Sequence, residues 1–273
     1  MGLWDYEGMR VIVTGGGGSG MGAAAVTELA NLGAEIHVID RKEPPVEVAS
    51  YQNSDLLDPE ATSAAIAKIG GTVDALFNCA GLPGPPFSDV DTMSVNFLAM
   101  RHVAEETAKL MTKGGAIACI SSTAGAGYIM NLEKWRPLLD TTTYAEGRAW
   151  CEAHPEEIAG GYAPSKEVVI LWTMKAAWDL QKRGIRVNCI SPGPTQTPMM
   201  GDFEAESGAD MIDFFAQGAG RRSTPEEQAY PIIFLNSRAA SYVSGENFNT
   251  DGGTMAAIFT GNIDIAAIME GFA

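Results

Sequence analysis

The sequence predicts one α/β domain built on a doubly wound parallel sheet flanked by helices. Three observations carry that expectation. Short β-branched apolar runs alternate with helix-compatible stretches, the first run ends in a cluster of glycines, and no internal repeat or low-complexity linker breaks the chain. A length of 273 residues, 46% of them hydrophobic, is enough to close a single core, so residues 1–273 are expected to form one domain.

Met9–Gly15 (MRVIVTG) reads as a strand buried on both faces, and the stretch from about Gly20 to Asn31 as the helix after it, with Gly33 as C-cap. Ala34–Asp40 (AEIHVID) is a second strand. Asp58-Pro59-Glu60 supplies an N-cap and a first-turn proline for a helix ending near Ile69. Asp74–Gly81 and Ala116–Ser122 are further strands, separated by a helical stretch from Met93 to Met111. Arg186–Gly193 is another strand, preceded by a helix from Tyr162 to Lys182, and Thr224-Pro225-Glu226-Glu227 has the spacing of a capping box that opens a last helix. Two connections exceed the usual length: residues 126–160, with NLEKWRPLLD and TYAEGRAWCEAHPEE, and residues 194–222, with PMMGDF and ADMIDFFAQ. Connections of that length are expected to be lids, binding loops or interfaces.

With 18 Lys+Arg against 34 Asp+Glu, the formal charge of −16 opposes nucleic-acid and anionic-membrane partners. The start MGLWDYEGMR lacks the basic and apolar blocks of a secretion signal, and no apolar run nears the roughly 18–20 residues that cross a bilayer. A cytoplasmic protein is expected. Cys79, Cys119, Cys151 and Cys189 read as separate thiols of a reducing compartment. His37, His102 and His154 lack ligand spacing, so no metal site is expected.

Between the first strand and the first helix lies Thr14-Gly15-Gly16-Gly17-Gly18-Ser19-Gly20-Met21-Gly22. Glycines there admit a pyrophosphate close to the backbone, and the helix N-terminus directs unpaired N–H groups at it. Gly15, Gly16, Ser19, Gly20, Met21 and Gly22 form the candidate cradle. Asp40 ends the second strand twenty residues after Gly20, where a carboxylate accepts two ribose hydroxyls and repels a 2′-phosphate. NAD is favoured, with NADP the alternative because Arg41 follows directly.

Tyr162 and Lys166 lie four apart, on one face of a helix. An ammonium beside a phenol stabilises the phenolate and brings its pKa down from about 10, which makes the pair a proton donor and acceptor. Ser122 falls at the C-terminal end of a strand, the edge at which open α/β sheets bind ligands. Asn96, in a helical stretch, has the chemistry to hold a water or a backbone group.

In order, the glycine-rich turn, Asp40, Asn78-Cys79-Ala80-Gly81, Asn96, Ser121-Ser122, Tyr162-x-x-x-Lys166 and Ser191-Pro192-Gly193 resemble the successive motifs of short-chain dehydrogenases/reductases. The resemblance runs through Asp251-Gly252-Gly253 and implies a Rossmann-type fold. It implies that Ser122 orients the substrate oxygen, Tyr162 transfers the proton, Lys166 binds the nicotinamide ribose and lowers the tyrosine pKa, and Asn96 holds a relay water. It further implies that Asn78, Ala80 and Gly81 line the cofactor and that Asp55 and Leu56 flank the adenine. Ile190, Thr195 and Thr197 would face the nicotinamide around the Pro192-Gly193 turn.

Two departures from the family pattern matter. The glycine turn is one residue longer than Thr-Gly-x-x-x-Gly-x-Gly, which leaves the first-glycine role between Gly15 and Gly16. The Ser122–Tyr162 spacing is wide, as in the hydroxysteroid dehydrogenase/carbonyl reductase and coniferyl-alcohol dehydrogenase subgroup, where an insertion bears on subunit association. Residues 126–160 are thus expected to form either a dimer face or a substrate wall.

The main expectation is an NAD-dependent oxidoreductase that interconverts a bulky, cyclic or aromatic, secondary alcohol and its ketone, as a homodimer or homotetramer. The alternatives are a dinucleotide-binding sensor or scaffold without turnover, and a reductase of carrier-bound 3-oxoacyl groups. The intact set of Ser122, Asn96, Tyr162 and Lys166 opposes the first, and the lack of a basic cluster for an acidic carrier opposes the second. Met199, Met200, Phe203, Phe214 and Phe215 either wall a pocket or fill the core. The apolar tail Thr254–Ala273, with Ile258, Phe259, Ile263, Ile268 and Phe272, is expected to pack on its own subunit or another.

Overall fold

The computed structural model describes residues 2–264. Among them, seven strands form one parallel sheet: β1 (Arg10–Thr14), β2 (Glu35–Asp40), β3 (Ser50–Asn53), β4 (Val73–Asn78), β5 (Met111–Ile120), β6 (Arg186–Pro192) and β7 (Asn247–Thr250). Their order is β3-β2-β1-β4-β5-β6-β7, and every adjacent pair is parallel. The connecting helices are α1 (Met21–Asn31), α2 (Pro59–Ile69), α3 (Asp89–Met93), α4 (Met100–Leu110), α5 (Leu132–Leu139), α6 (Tyr144–Ala153), α7 (Tyr162–Gln181), α8 (Met200–Ser207), α9 (Ala209–Phe214), α10 (Pro225–Asn236) and α11 (Thr254–Phe259).

Both sheet faces are covered, which is why the central strands read as unbroken apolar runs. On β1, Val11 and Val13 pack with α1 and α10, whereas Ile12 between them packs with α2, α4 and α7. On β5, Ala118 and Ile120 belong to the first layer and Ile117 and Cys119 to the second. Successive side chains of a strand point to opposite faces, so each face needs its own helices.

The structure redraws one helical stretch and adds two strands. The helical stretch expected from Met93 to Met111 is α3, a π-helical turn at Ser94–Ala99, and α4, and Met111 opens β5. β3 (SYQN) and β7 (NFNT) were not expected, because both are short and polar and lie at the two edges of the sheet.

Residues 126–160 pack onto the helix layer of the chain's main core. Trp135, Leu138, Leu139, Cys151 and Ile158 are buried in the same core as Phe97, Val103 and Val168. The buried Arg101 of α4 donates to the Thr141 carbonyl (2.8 Å), Thr141 Oγ1 (3.0 Å) and the Thr143 carbonyl (2.9 Å), tying down the α5–α6 turn. Thr143 and Glu146 form a capping box that starts α6, and Arg148 pairs with Asp91 at 3.2 Å. Residues 194–222 are held more loosely. α9 buries no side chain, α8 buries Met200, and Arg222 bridges Glu204 and Asp213 across the loop.

Cys119, Cys151 and Cys189 are buried free thiols, and Cys79 is partly exposed. No helix among the described residues is long and apolar enough to cross a membrane. In the tail, Thr254 and Met255 are buried and Phe259 is exposed; Ile268 and Phe272 lie outside the described residues.

Candidate active site

The strand order reverses between β1 and β4, so a crevice opens where their C-terminal ends diverge. Gly15 stands there with φ +69°, and a Cβ on it would lie 2.5 Å from the Ala80 nitrogen. A Cβ on Gly22 would overlap the Gly15 carbonyl and come within 2.9 Å of Cys79 Cβ. The tight contact of Gly15, Ala80 and Gly22 therefore gives Gly15 the closest approach, while Gly16 packs under Val26, Val13 and Val38. The additional residue of the turn is absorbed by Gly17 and Gly18, which fold over the chain after β2. Gly17 N donates to Asp40 Oδ2 (2.9 Å) and Gly18 N to the Glu43 carbonyl (2.9 Å). A side chain on Gly17 would collide with the Lys42 carbonyl. Gly17 lies outside the expected cradle, and the extra glycine of the turn is its only signal in the sequence.

Gly20 caps α1 with no side-chain hydrogen bond, and the first turn carries no acid. The N–H groups of that turn are left for an anion, which fits a pyrophosphate. Lys42 N donates to Asp40 Oδ1 (2.9 Å), so each carboxylate oxygen has one backbone donor and keeps a lone pair for a ribose hydroxyl. Arg41 reaches toward Asp55 (3.7 Å), and the next residue, Leu56, is buried in the core. Asn78 is fixed at the end of β4 by the Thr14 hydroxyl (3.2 Å) and the Met100 carbonyl (3.2 Å). These residues fit a nicotinamide dinucleotide.

Ser122, Tyr162 and Lys166 come together at the same sheet edge. Lys166, buried, donates from Nζ to the Ile120 carbonyl (3.0 Å), and its Nζ lies 5.4 Å from the centre of the Tyr162 ring. Its own carbonyl accepts from Ser121 Oγ (2.8 Å). Ser122 lies beside the Tyr162 phenol and accepts from Ala124 N (3.1 Å). Burial pushes Lys166 down to about 8. Burial also pushes the Tyr162 phenol up, and the neighbouring Ser122 pulls it partly back. The ammonium does not bring the expected lowering here: the amine is spent on a carbonyl and faces the ring.

Asn96, on the π-helical turn, spends its side chain on structure. Its Oδ1 accepts from Leu82 N (2.7 Å), and its Nδ2 donates to the Leu82 carbonyl (3.0 Å) and Ser165 Oγ (3.0 Å), lacing the segment after β4 to α7. Gly81 lies beside it, a Cβ there being 3.2 Å from Asn96 Oδ1. Ile190 does not present its side chain here: it is enclosed in the core, and its carbonyl accepts from Ser121 N (2.8 Å). Thr195 likewise spends its hydroxyl within the turn, on the Gly193 carbonyl and Ser223 (2.9 Å each), and Thr197 is partly exposed at the start of the loop. Pro192 ends β6, and Gly193 packs on Asp251. From α8, Phe203 sets its ring edge-on to Tyr162 with centroids 4.8 Å apart. No metal-ligating group of three or more side chains occurs among the described residues.

Known proteins share this plan. The short chain dehydrogenase profile matches residues 10–132, and the enoyl-(acyl carrier protein) reductase profile matches residues 142–255. The chain is 30% identical over 245 residues to coniferyl-alcohol dehydrogenase of Pseudomonas sp. (strain HR199 / DSM 7063), covering 89% of this chain and 95% of that one. It is 32% identical over 251 residues to 3-alpha-hydroxysteroid dehydrogenase/carbonyl reductase of Comamonas testosteroni, covering 90% and 96%. Among solved structures, 3-alpha-hydroxysteroid dehydrogenase from Pseudomonas sp. B-0831 complexed with NADH superposes with a TM-score of 0.77 at 26% identity, over 93% of this chain and 100% of that one. A sheet that reverses at a glycine cradle, a Ser–Tyr–Lys cluster on its edge and near-complete coverage by such relatives make this chain a member of the short-chain dehydrogenase/reductase family, an oxidoreductase.

Proposed function

We propose that the protein is an NAD-dependent dehydrogenase that interconverts a bulky, cyclic or aromatic, secondary alcohol and its ketone. The observation that carries this reading is the convergence of Ser122, Tyr162 and Lys166 at the edge where the glycine cradle opens. Gly15, Ser19, Gly20, Met21 and Gly22 would hold the pyrophosphate and Asp40 the adenine ribose, with Asn78, Ala80 and Gly81 along the path between. Bound there, NAD would supply the hydride acceptor.

The chain's own groups handle the proton and the orientation. Ser122 holds the substrate oxygen beside the phenol. In oxidation Tyr162 Oη takes the hydroxyl proton, and in reduction it returns one. Lys166, held by the Ile120 carbonyl with its ammonium toward the Tyr162 ring, would bind the nicotinamide ribose beside the phenol. Asn96 keeps the segment after β4 in register with α7, and that fixed geometry lowers the entropy cost of bringing alcohol and acceptor together. Phe203 and Met200 provide apolar surface for a ring-bearing substrate, in keeping with the substrates named for the relatives above.

A panel of cyclic and aromatic secondary alcohols, assayed with NAD and with NADP, tests substrate and cofactor together; NAD is expected to support turnover and NADP poorly. Tyr162→Phe is expected to cut turnover by at least about 100-fold with NAD affinity little changed. Oxidation should rise with pH, because it needs the ionised phenol, and reduction should fall. Near-wild-type turnover in Tyr162→Phe would falsify the mechanism.

A further inference from the structure

Glu167 follows Lys166 on α7, and the chemistry above does not use it. Its carboxylate is buried, yet it forms no ion pair among the described residues. Neutral donors hold it: Asn131 Nδ2 at 3.0 and 2.9 Å, and Trp135 Nε1 at 2.5 Å. A buried carboxylate is costly even when it is hydrogen-bonded, and an apolar side chain would glue α5 to α7 at less expense. What hydrogen bonds add is direction. Apolar contacts tolerate sliding, whereas three directed bonds fix one register.

The register concerned is that of the chain leaving Ser122. Ser122 caps the 3₁₀ helix Thr123–Ile129, and that segment lies flat on α7. A Cβ on Gly125 would stand 2.7 Å from the Lys166 carbonyl carbon and 2.9 Å from Glu167 N, and Gly127 is pressed against Glu167 Oε1. Upstream, Ile120 and Ser121 are bonded to Lys166. Residues 120–135 are therefore stitched to residues 162–167 at successive points, and Glu167 closes the far end of the seam.

We propose that Glu167 is a positioning residue: by gripping Asn131 and Trp135 it holds the 123–135 segment on α7 and so sets the distance between Ser122 and Tyr162. The proposal rests on the roles given to Ser122 and Tyr162 above. Two readouts separate it from a merely structural role: the kcat of the best alcohol found in the panel, and a titration of the Tyr162 phenol followed by ¹³Cζ-tyrosine NMR, with the signal assigned from Tyr162→Phe. Glu167→Ala is expected to lower kcat by at least about tenfold while the KM for NAD stays within about twofold. The phenol of that variant should titrate at higher pH, since Ser122, which pulls it down, is no longer held beside it. Glu167→Gln, which keeps an acceptor for Trp135, should restore most of the rate and of the titration.

An unchanged kcat in Glu167→Ala, or a loss of kcat with an unmoved Tyr162 titration, overturns the proposal. Where Glu167→Ala does not fold, Trp135→Phe removes one donor and keeps most of the packing. Its phenol titration must then move in the same direction to a smaller extent, and an unmoved one overturns the proposal equally. If the wild-type protein oxidises no alcohol, the proposed function falls, and the titration alone still decides on Glu167.

Discussion

The two long connections of this chain have similar length and opposite character. Residues 126–160 bury Trp135, Leu138, Cys151 and Ile158 in the main core and are anchored from beneath by Arg101 and Glu167. Residues 194–222 bury little beyond Met200, Thr195 and Ala216, close through Arg222 to Glu204 and Asp213, and touch the chemistry through Phe203. The first is packed into the core against the helix bearing Tyr162, and the second meets Tyr162 through the edge-on ring of Phe203. Unusual length thus marks a segment with a task, and burial says whether the task is rigidity or access.

The comparison breaks most sharply at Trp135. Truncating a fully buried indole in a packed core costs about 3–5 kcal/mol, so urea unfolding of Trp135→Ala should show that loss, while Phe203→Ala should lose under about 1 kcal/mol. Equal losses in the two variants would erase the distinction. Activity should sort the other way at the next level. Phe203→Ala is expected to raise the KM for a cyclic alcohol by about 3–10-fold, the worth of roughly one aromatic contact, with the melting temperature nearly unchanged. The smallest effect concerns salt. Raising sodium chloride into the range of about 0.5 M screens the pairs of Arg222 with Glu204 and Asp213 and should change substrate KM by less than about threefold.

The sequence carried the central fold, because β1, β2, β4, β5 and β6 are apolar on both faces and their runs cannot be mistaken for loops. It did not carry β3 and β7, whose edge positions free them from that requirement and leave SYQN and NFNT looking like turns. In the candidate site, Ser122, Tyr162 and Lys166 were legible from spacing and order and do meet in space. The direction of the phenol's pKa was not, since residue spacing places an amine near a ring but is silent on where the amine's protons point. Ile190 was misplaced for a related reason: a residue beside a motif turn can lend its backbone to the site while its side chain joins the core. Glu167 escaped notice because a carboxylate after a lysine on a long helix looks like ordinary surface charge, and its burial depends on Trp135 and Asn131, more than thirty residues away in the chain.

The edge-on contact of Phe203 with Tyr162 has a consequence for how ligands arrive. An alcohol whose oxygen reaches the phenol must share or take over the space beside that ring, so admission is an exchange of neighbours rather than the filling of a void. Flat, ring-shaped molecules lose least in such a trade, and slim aliphatic chains leave the aromatic face bare. Selectivity for shape would then arise at the doorway, before any bond to hydrogen is broken.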